Sequence, residues 1–185
     1  MKFKFDIQRF AAVNALDTHI ANYEVFIEGN RSLGTAEVTL PNLEYMTTTL
    51  KGAGIAGEID VPTVAHFSNL EVTLKWLTVN ANAFKFLVPN GIKFALYAAQ
   101  QQLDSATGNY KIIQNKIELT GLAKNLNLGK FVPAEVTDTE TVISITTLKE
   151  TINKVVVFEY DKLNWVCKIN GVDYSADLKS ALGVV

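Results

Sequence analysis

The chain has 185 residues, a formal net charge of −2, 48% hydrophobic and 19% charged residues. It is too apolar for a disordered chain, and its near-balance of acids and bases lacks the basic surplus of a dedicated nucleic-acid binder. A single cysteine, Cys167, excludes an internal disulfide framework and a thiolate zinc cluster, and no segment approaches the ~20 apolar residues of a membrane-spanning helix.

At this length one domain is predicted. The first ten residues alternate, with Phe3, Phe5 and Ile7 against Lys2, Lys4 and Asp6, which is strand periodicity. Asp6, Gln8 and Arg9 break any apolar core of a signal peptide, so a cytoplasmic site of synthesis is expected. Residues 1–20 read as an arm that folds only against a neighbour; a disordered tail is the other reading. Residues 21–185 form the expected domain.

From residue 22 the patterns are β. Residues 23–28 read as a strand, 29–32 as a turn, and 36–40 as a strand stopped by Pro41. Residues 43–50 are threonine-rich and suit an extended conformation. Residues 51–62 carry three glycines and read as a long loop. The clearest strand is 70–76, with Leu70, Val72, Leu74 and Trp76 facing one way and Glu71, Thr73 and Lys75 the other. Asn80 or Asn82 caps a short helix near 83–87, ended by Pro89-Asn90-Gly91. Residues 92–101 and 110–122 are predicted to pair across a hairpin loop at 104–109. Strands follow at 141–147 and 154–161. A turn falls at Asn170-Gly171, and a short helix near 176–182. The sum is a mainly β fold of seven or more short strands with one or two short helices, a sandwich or barrel rather than a parallel α/β sheet.

Catalytic signals are weak. Gly52-Ala53-Gly54-Ile55-Ala56-Gly57 matches the glycine spacing of a dinucleotide loop. That loop needs a helix after it, and Glu58-Ile59-Asp60-Val61-Pro62 does not read as one. Glycines this dense serve backbone freedom or the close approach of another chain. His66 beside Ser68, His19 and the lone Cys167 have no orienting partner in the pattern and read as packing or surface residues. No cofactor or metal is expected, and no enzymatic activity. Trp76 and Trp165 read as core or interface anchors.

The order of features resembles one family. Asn22-Tyr23-Glu24-Val25-Phe26-Ile27-Glu28-Gly29-Asn30, then Val38-Thr39-Leu40-Pro41-Asn42-Leu43, then Lys51-Gly52-Ala53-Gly54-Ile55-Ala56-Gly57 resembles the opening of the major tail tube proteins of contractile-tailed bacteriophages. Lys168-Ile169-Asn170-Gly171-Val172-Asp173 and the short segment after it resemble that family's ending. The resemblance covers roughly residues 22–183 and extends to the tubes of phage-like bacteriocins.

What the resemblance implies is a small β-barrel or sandwich of two packed antiparallel sheets with one short flanking helix, and a structural role. Six copies would join their sheets into a ring, and rings would stack into the inner channel of a virion tail, assembled in the host cytoplasm. Sheath, tape-measure and baseplate proteins would be its partners. DNA would pass without specific binding, and no membrane is involved. The loop Lys51, Gly52, Ala53, Gly54, Ile55, Ala56, Gly57 and Glu58 would contact the adjacent ring. Residues 1–20 and a longer stretch around 122–136 depart from the family pattern. Beside the resemblance, Phe3, Phe5 and Ile7 would add to a neighbouring subunit, and Glu71, Thr73 and Lys75 would line the lumen, with Glu71 offsetting Lys75. A different class remains open: a monomeric β-barrel that binds a small apolar ligand.

Overall fold

The computed structural model describes residues 15–32 and 34–183. Twelve strands and two short helices follow in the order β1 (Ala15–Ile27), β2 (Asn30–Ser32), β3 (Thr35–Thr39), β4 (Tyr45–Leu50), β5 (Ile59–Phe67), β6 (Glu71–Trp76), α1 (Ala81–Lys85), β7 (Ile92–Asp104), β8 (Tyr110–Asn127), β9 (Thr139–Ile152), β10 (Val155–Asp161), β11 (Val166–Ile169), β12 (Val172–Asp173) and α2 (Ala176–Leu182). They make two antiparallel sheets, one of ten strands and one of two. The larger sheet does not close on itself, so the sandwich is realised rather than the barrel.

The ten-stranded sheet becomes two layers because one edge of β9 is shared. Residues Thr139 to Ser144 pair with β6, whereas Thr147 to Ile152 pair with β10. Between them the burial phase of β9 shifts. Thr139, Thr141, Ile143 and Ile145 point inward, then Leu148 does. The shift is a bulge, where the register against β8 steps from Thr120↔Thr147 to Gly121↔Ile145. Such bulges let a strand turn a corner from one layer to the other. Gly121 sits at that corner. A Cβ there would lie 2.5 Å from the Ser144 carbonyl oxygen and 2.8 Å from Ile143 Cγ2, so only glycine lets β8 and β9 approach this closely.

Between the layers lies one core. Val72, Leu74 and Trp76 of β6 meet Val25 and Ile27 of β1, Phe94 and Leu96 of β7, and Ile117 and Leu119 of β8. The helix α1 closes one side. Asn80 caps it, its side-chain oxygen accepting from the backbone N–H groups of Asn82 and Ala83. Phe86, just past its end, bridges Trp76 (5.8 Å between ring centres) and Phe94 (5.4 Å). The Trp76 indole N–H donates to Thr141 Oγ1 at 3.0 Å, which satisfies its polar atom inside the core.

Several boundaries move from those read in the sequence. β1 is already in place at Ala15, the first described residue, and its residues 15–20 pair with β7 of the same chain, Leu16 opposite Leu103. They belong to the sheet and not to an arm; Phe3, Phe5 and Ile7 lie outside the described residues. The first turn is Glu28-Gly29, both with positive φ (48° and 82°), and residues 30–32 form a strand after it. Residues 59–62 open β5 rather than ending a loop. β8 and β9 are each longer than expected, because they pair with one another along most of their length, Asn115 to Asn127 against Ile152 to Glu140.

The corner yields a measurable expectation. Gly121→Ala forces apart two backbones that cannot both move, at a cost of about 1–3 kcal/mol. Chemical denaturation of the purified subunit should show a lowered midpoint with an unchanged slope; an unchanged midpoint would mean that the corner relaxes freely.

Candidate functional site

No arrangement of the described residues looks catalytic. His66 Nδ1 lies 2.8 Å from the Val64 carbonyl oxygen, and its ring meets Trp165 edge-on at 6.0 Å. Cys167 is 1% exposed, and burial pushes its thiol above the ordinary range. A protonated, buried thiol is a poor nucleophile. No group of three or more His, Cys, Asp or Glu side chains among the described residues could hold a metal. No helix there is long and apolar enough to cross a membrane. The glycine motif joins strand to strand, so it lacks the helix N-terminus that a dinucleotide's pyrophosphate needs.

What the surface offers instead is a hairpin, two polar faces and a groove. The hairpin is β4 and β5, paired only with each other. Its tip spans residues 51–58 and is held by Ile55 N–H to Gly52 C=O (3.1 Å), Gly57 N–H to Ile55 C=O (3.1 Å) and a Lys51–Glu58 ion pair at 2.9 Å. Gly54 and Gly57 take φ of 92° and 117°, which disfavours any other residue. The register places Leu50 opposite Ile59 and Thr48 opposite Val61. Met46, Leu50, Ile59 and Val61 therefore share one face, and all are exposed. The opposite face is polar, with Thr49 donating to Asp60 at 2.7 Å. Isolated two-stranded hairpins are marginal in water, so an apolar face of this kind calls for a surface to cover it. The base of the hairpin is anchored, with Tyr45 stacked on Phe67 at 4.4 Å and Phe67 edge-on to Tyr160 at 4.9 Å.

Because β6 and β1–β7–β8 meet in one core, their polar faces look away from each other. The β6 face carries Glu71, Thr73 and Lys75. Lys75 pairs with Glu37 of β3 at 3.0 Å, and Glu71 with Lys124 of β8 at 2.7 Å. The hydrogen bond that the Lys75 ammonium donates to the Glu37 carboxylate holds its pKa above the ordinary value. The partner of Lys75 is thus Glu37 and not Glu71. Residues directly opposite across strands are closer than residues two apart along one. Glu140 stands opposite Lys75 on its other side.

The second polar face carries a charge ladder that sequence reading missed. Register places Glu118, Lys149, Glu159, Lys168 and Asp173 opposite one another in turn from β8 to β12. Each lies beside a buried residue of its strand (Leu119, Leu148, Phe158 and Cys167 for the first four), which turns the row outward. The Lys168–Glu159 ion pair is 3.4 Å long. No local pattern announces this row, because its members come from five strands.

The groove lies where the sandwich stays open. Ile20 and Tyr23 of β1, Val38 of β3 and Leu40 just beyond it, Leu96 and Ala98 of β7, and Ile117 of β8 line a cavity of about 210 Å³. Among the described residues β3 pairs only with β6, and β1 between Ala15 and Glu24 only with β7, so both sides of the groove are strand edges that no described residue pairs.

A family model described as phage tail tube protein FII matches residues 17–183. No curated protein matches significantly in sequence. Among solved structures, the fold is similar to a chain of the sheath/tube terminator of the extracellular contractile injection system PVC in the extended state. The TM-score is 0.53 and the identity 9%, over 74% of this chain and 97% of that one. It is also similar to a chain of the PVC sheath-tube complex in the extended state, with TM-score 0.50 and 9% identity over 70% of this chain and 88% of that one.

The ladder makes a direct test of the register possible. Lys149→Glu puts three carboxylates in a row and should destabilise the subunit by about 1 kcal/mol more than Lys149→Gln. The difference should shrink in molar salt. Equal effects of the two substitutions at all salt concentrations would show that Lys149 does not face Glu118 and Glu159.

Proposed function

The chain belongs to the phage tail tube protein FII family, and from that premise we propose that it is the structural subunit of a contractile tail. In this reading six copies close a ring and rings stack into the channel inside a sheath. The observation that carries the reading is the pairing of family membership with a sandwich that leaves strand edges and an apolar hairpin uncovered. Those features are a liability for a solitary domain and a joining surface in an assembly. Sheath, tape-measure and baseplate proteins are the proposed partners, the virion tail the proposed location, and DNA the proposed traveller through the lumen.

The β6 face is the proposed channel wall. Glu37, Glu71 and Glu140 stand there against Lys75 and Lys124, so carboxylates outnumber ammonium groups. DNA carries one negative charge per ~1.7 Å of its axis, and a wall without basic surplus does not hold it. The charge ladder then looks outward, towards the sheath. The hairpin tip, residues 51–58, is the proposed contact with the adjacent ring, and Phe3, Phe5 and Ile7 the proposed arm to a neighbour.

Two experiments follow. Purified protein at high concentration should form tubes visible by negative-stain microscopy, whereas a monomer of one chain mass carrying bound lipid would favour the ligand-binding barrel. Removing residues 52–57 should leave the β circular-dichroism spectrum unchanged and abolish tubes. Tubes of normal length from that deletion would overturn the role given to the tip.

A further inference from the structure

The groove and the hairpin are complementary, and neither is covered by the described residues of its own chain. The groove is bounded by the unpaired edges of β3 and of the first half of β1 and floored by Leu96, Ala98 and Ile117. Two polar atoms add to this. Tyr23 Oη and Asn115 Oδ1, both on groove residues, are buried with no hydrogen-bond partner among the described residues, as is Thr35 Oγ1 on β3. Buried polar atoms without partners are rare in a finished structure, because each has lost its water without gaining a hydrogen bond. The hairpin supplies the converse. Among the described residues β4 and β5 pair only with each other, which leaves one further edge on each, and Met46, Leu50, Ile59 and Val61 form an exposed apolar face. Residues 45–67 match in number the roughly 20–30 that each side gives to a standard interface.

We propose that the β4–β5 hairpin of one copy docks into the β1–β3 groove of the next, extending its sheet at the β3 edge and covering the groove with Met46, Leu50, Ile59 and Val61. The inference rests on the tail-tube reading and names the surface through which neighbours in a ring hold one another. The donor is a second copy because the chain's own hairpin is anchored over β10 by Phe67, and β9, β8 and β7 lie between β10 and β1. Strand addition gives the visiting edge backbone hydrogen bonds, while the side chains facing the groove supply burial. The contact joins two different patches, so it is heterologous: each copy gives one hairpin and receives one, and repetition closes a ring.

A heterologous contact has a signature that a symmetric one lacks. One variant, Met46→Lys with Ile59→Lys, disables the hairpin. Another, Ala98→Arg, disables the groove, and Leu40→Lys, at an exposed position on the groove wall, serves as a second groove variant should Ala98→Arg fail to fold. Each variant alone should sediment as a monomer of 20.4 kDa with a native β spectrum. Mixed in equal amounts, a hairpin variant and a groove variant retain one working contact between them and should form a dimer and nothing larger. A mixture that stays monomeric, or a hairpin variant that still forms rings, overturns the inference. So does loss of rings on removing residues 1–14 while the hairpin variant keeps them, because the groove's occupant would then be the N-terminal segment. Unsubstituted protein that forms no ring or tube under the same conditions overturns the tail-tube reading itself.

Discussion

A sheet that folds over without closing must leave strand edges somewhere, and most of this molecule's surface follows from where they fall. β9 turns a corner at residues 145–147 and sends one half of its edge to β6 and the other to β10. The two layers trap a well-filled core in which Trp76, Phe86, Leu70 and Leu74 are below 2% exposed. The gap between the layers is not filled by any of the described residues. There β3 and β1 keep free edges, with apolar side chains between them. Backbone groups of that kind pair with water in a monomer and with another chain in an assembly. The protruding hairpin is the same constraint seen from the other side, a pair of strands that the subunit's own sheet does not take in.

Electrostatics on the two polar faces is arranged to cancel locally. On one face Glu37 answers Lys75 and Lys124 answers Glu71; on the other, the signs alternate strand by strand from Glu118 to Asp173. Exposed ion pairs of this kind contribute little stability each. Their larger effect is on register and on the field beyond the surface. Opposite charges a few ångströms apart produce a field that fades within about a Debye length, roughly 8 Å at physiological salt. A surface built this way neither attracts nor strongly repels a polymer sliding past it, which suits the wall and the exterior of a conduit equally.

Much of this was legible in the sequence where the signal is local. The alternation of Leu70, Val72, Leu74 and Trp76 marked β6 and its buried face, Asn80 marked the start of α1, and Asn170-Gly171 marked the β11–β12 turn, where φ is positive at both residues. The glycines at 52, 54 and 57 marked a turn. They also concealed that Ile59 and Val61 alternate with Glu58 and Asp60 as a strand should, because Pro62 reads as a breaker although an edge strand tolerates it. Asn153-Lys154 turns between β9 and β10 with two positive φ values and no glycine, so nothing flagged its backbone. The corner at Gly121, the ladder and the groove depend on register between strands far apart in the chain. Register is a property of the folded sheet, and no window of sequence contains it.

The central claim is that the edges left open in the subunit are closed by other copies of it. Amide hydrogen exchange, measured residue by residue in the monomer and in the assembled state, tests this most directly, since exchange reports which backbone groups are paired and how often they open. The account predicts fast exchange in the monomer for residues 45–50 and 59–66 of the hairpin and for the free edge at 35–39, strong protection of all three upon assembly, and no change in β8 and β9 of the core. Assembled tubes in which the hairpin and the β3 edge exchange as fast as in the monomer would contradict it.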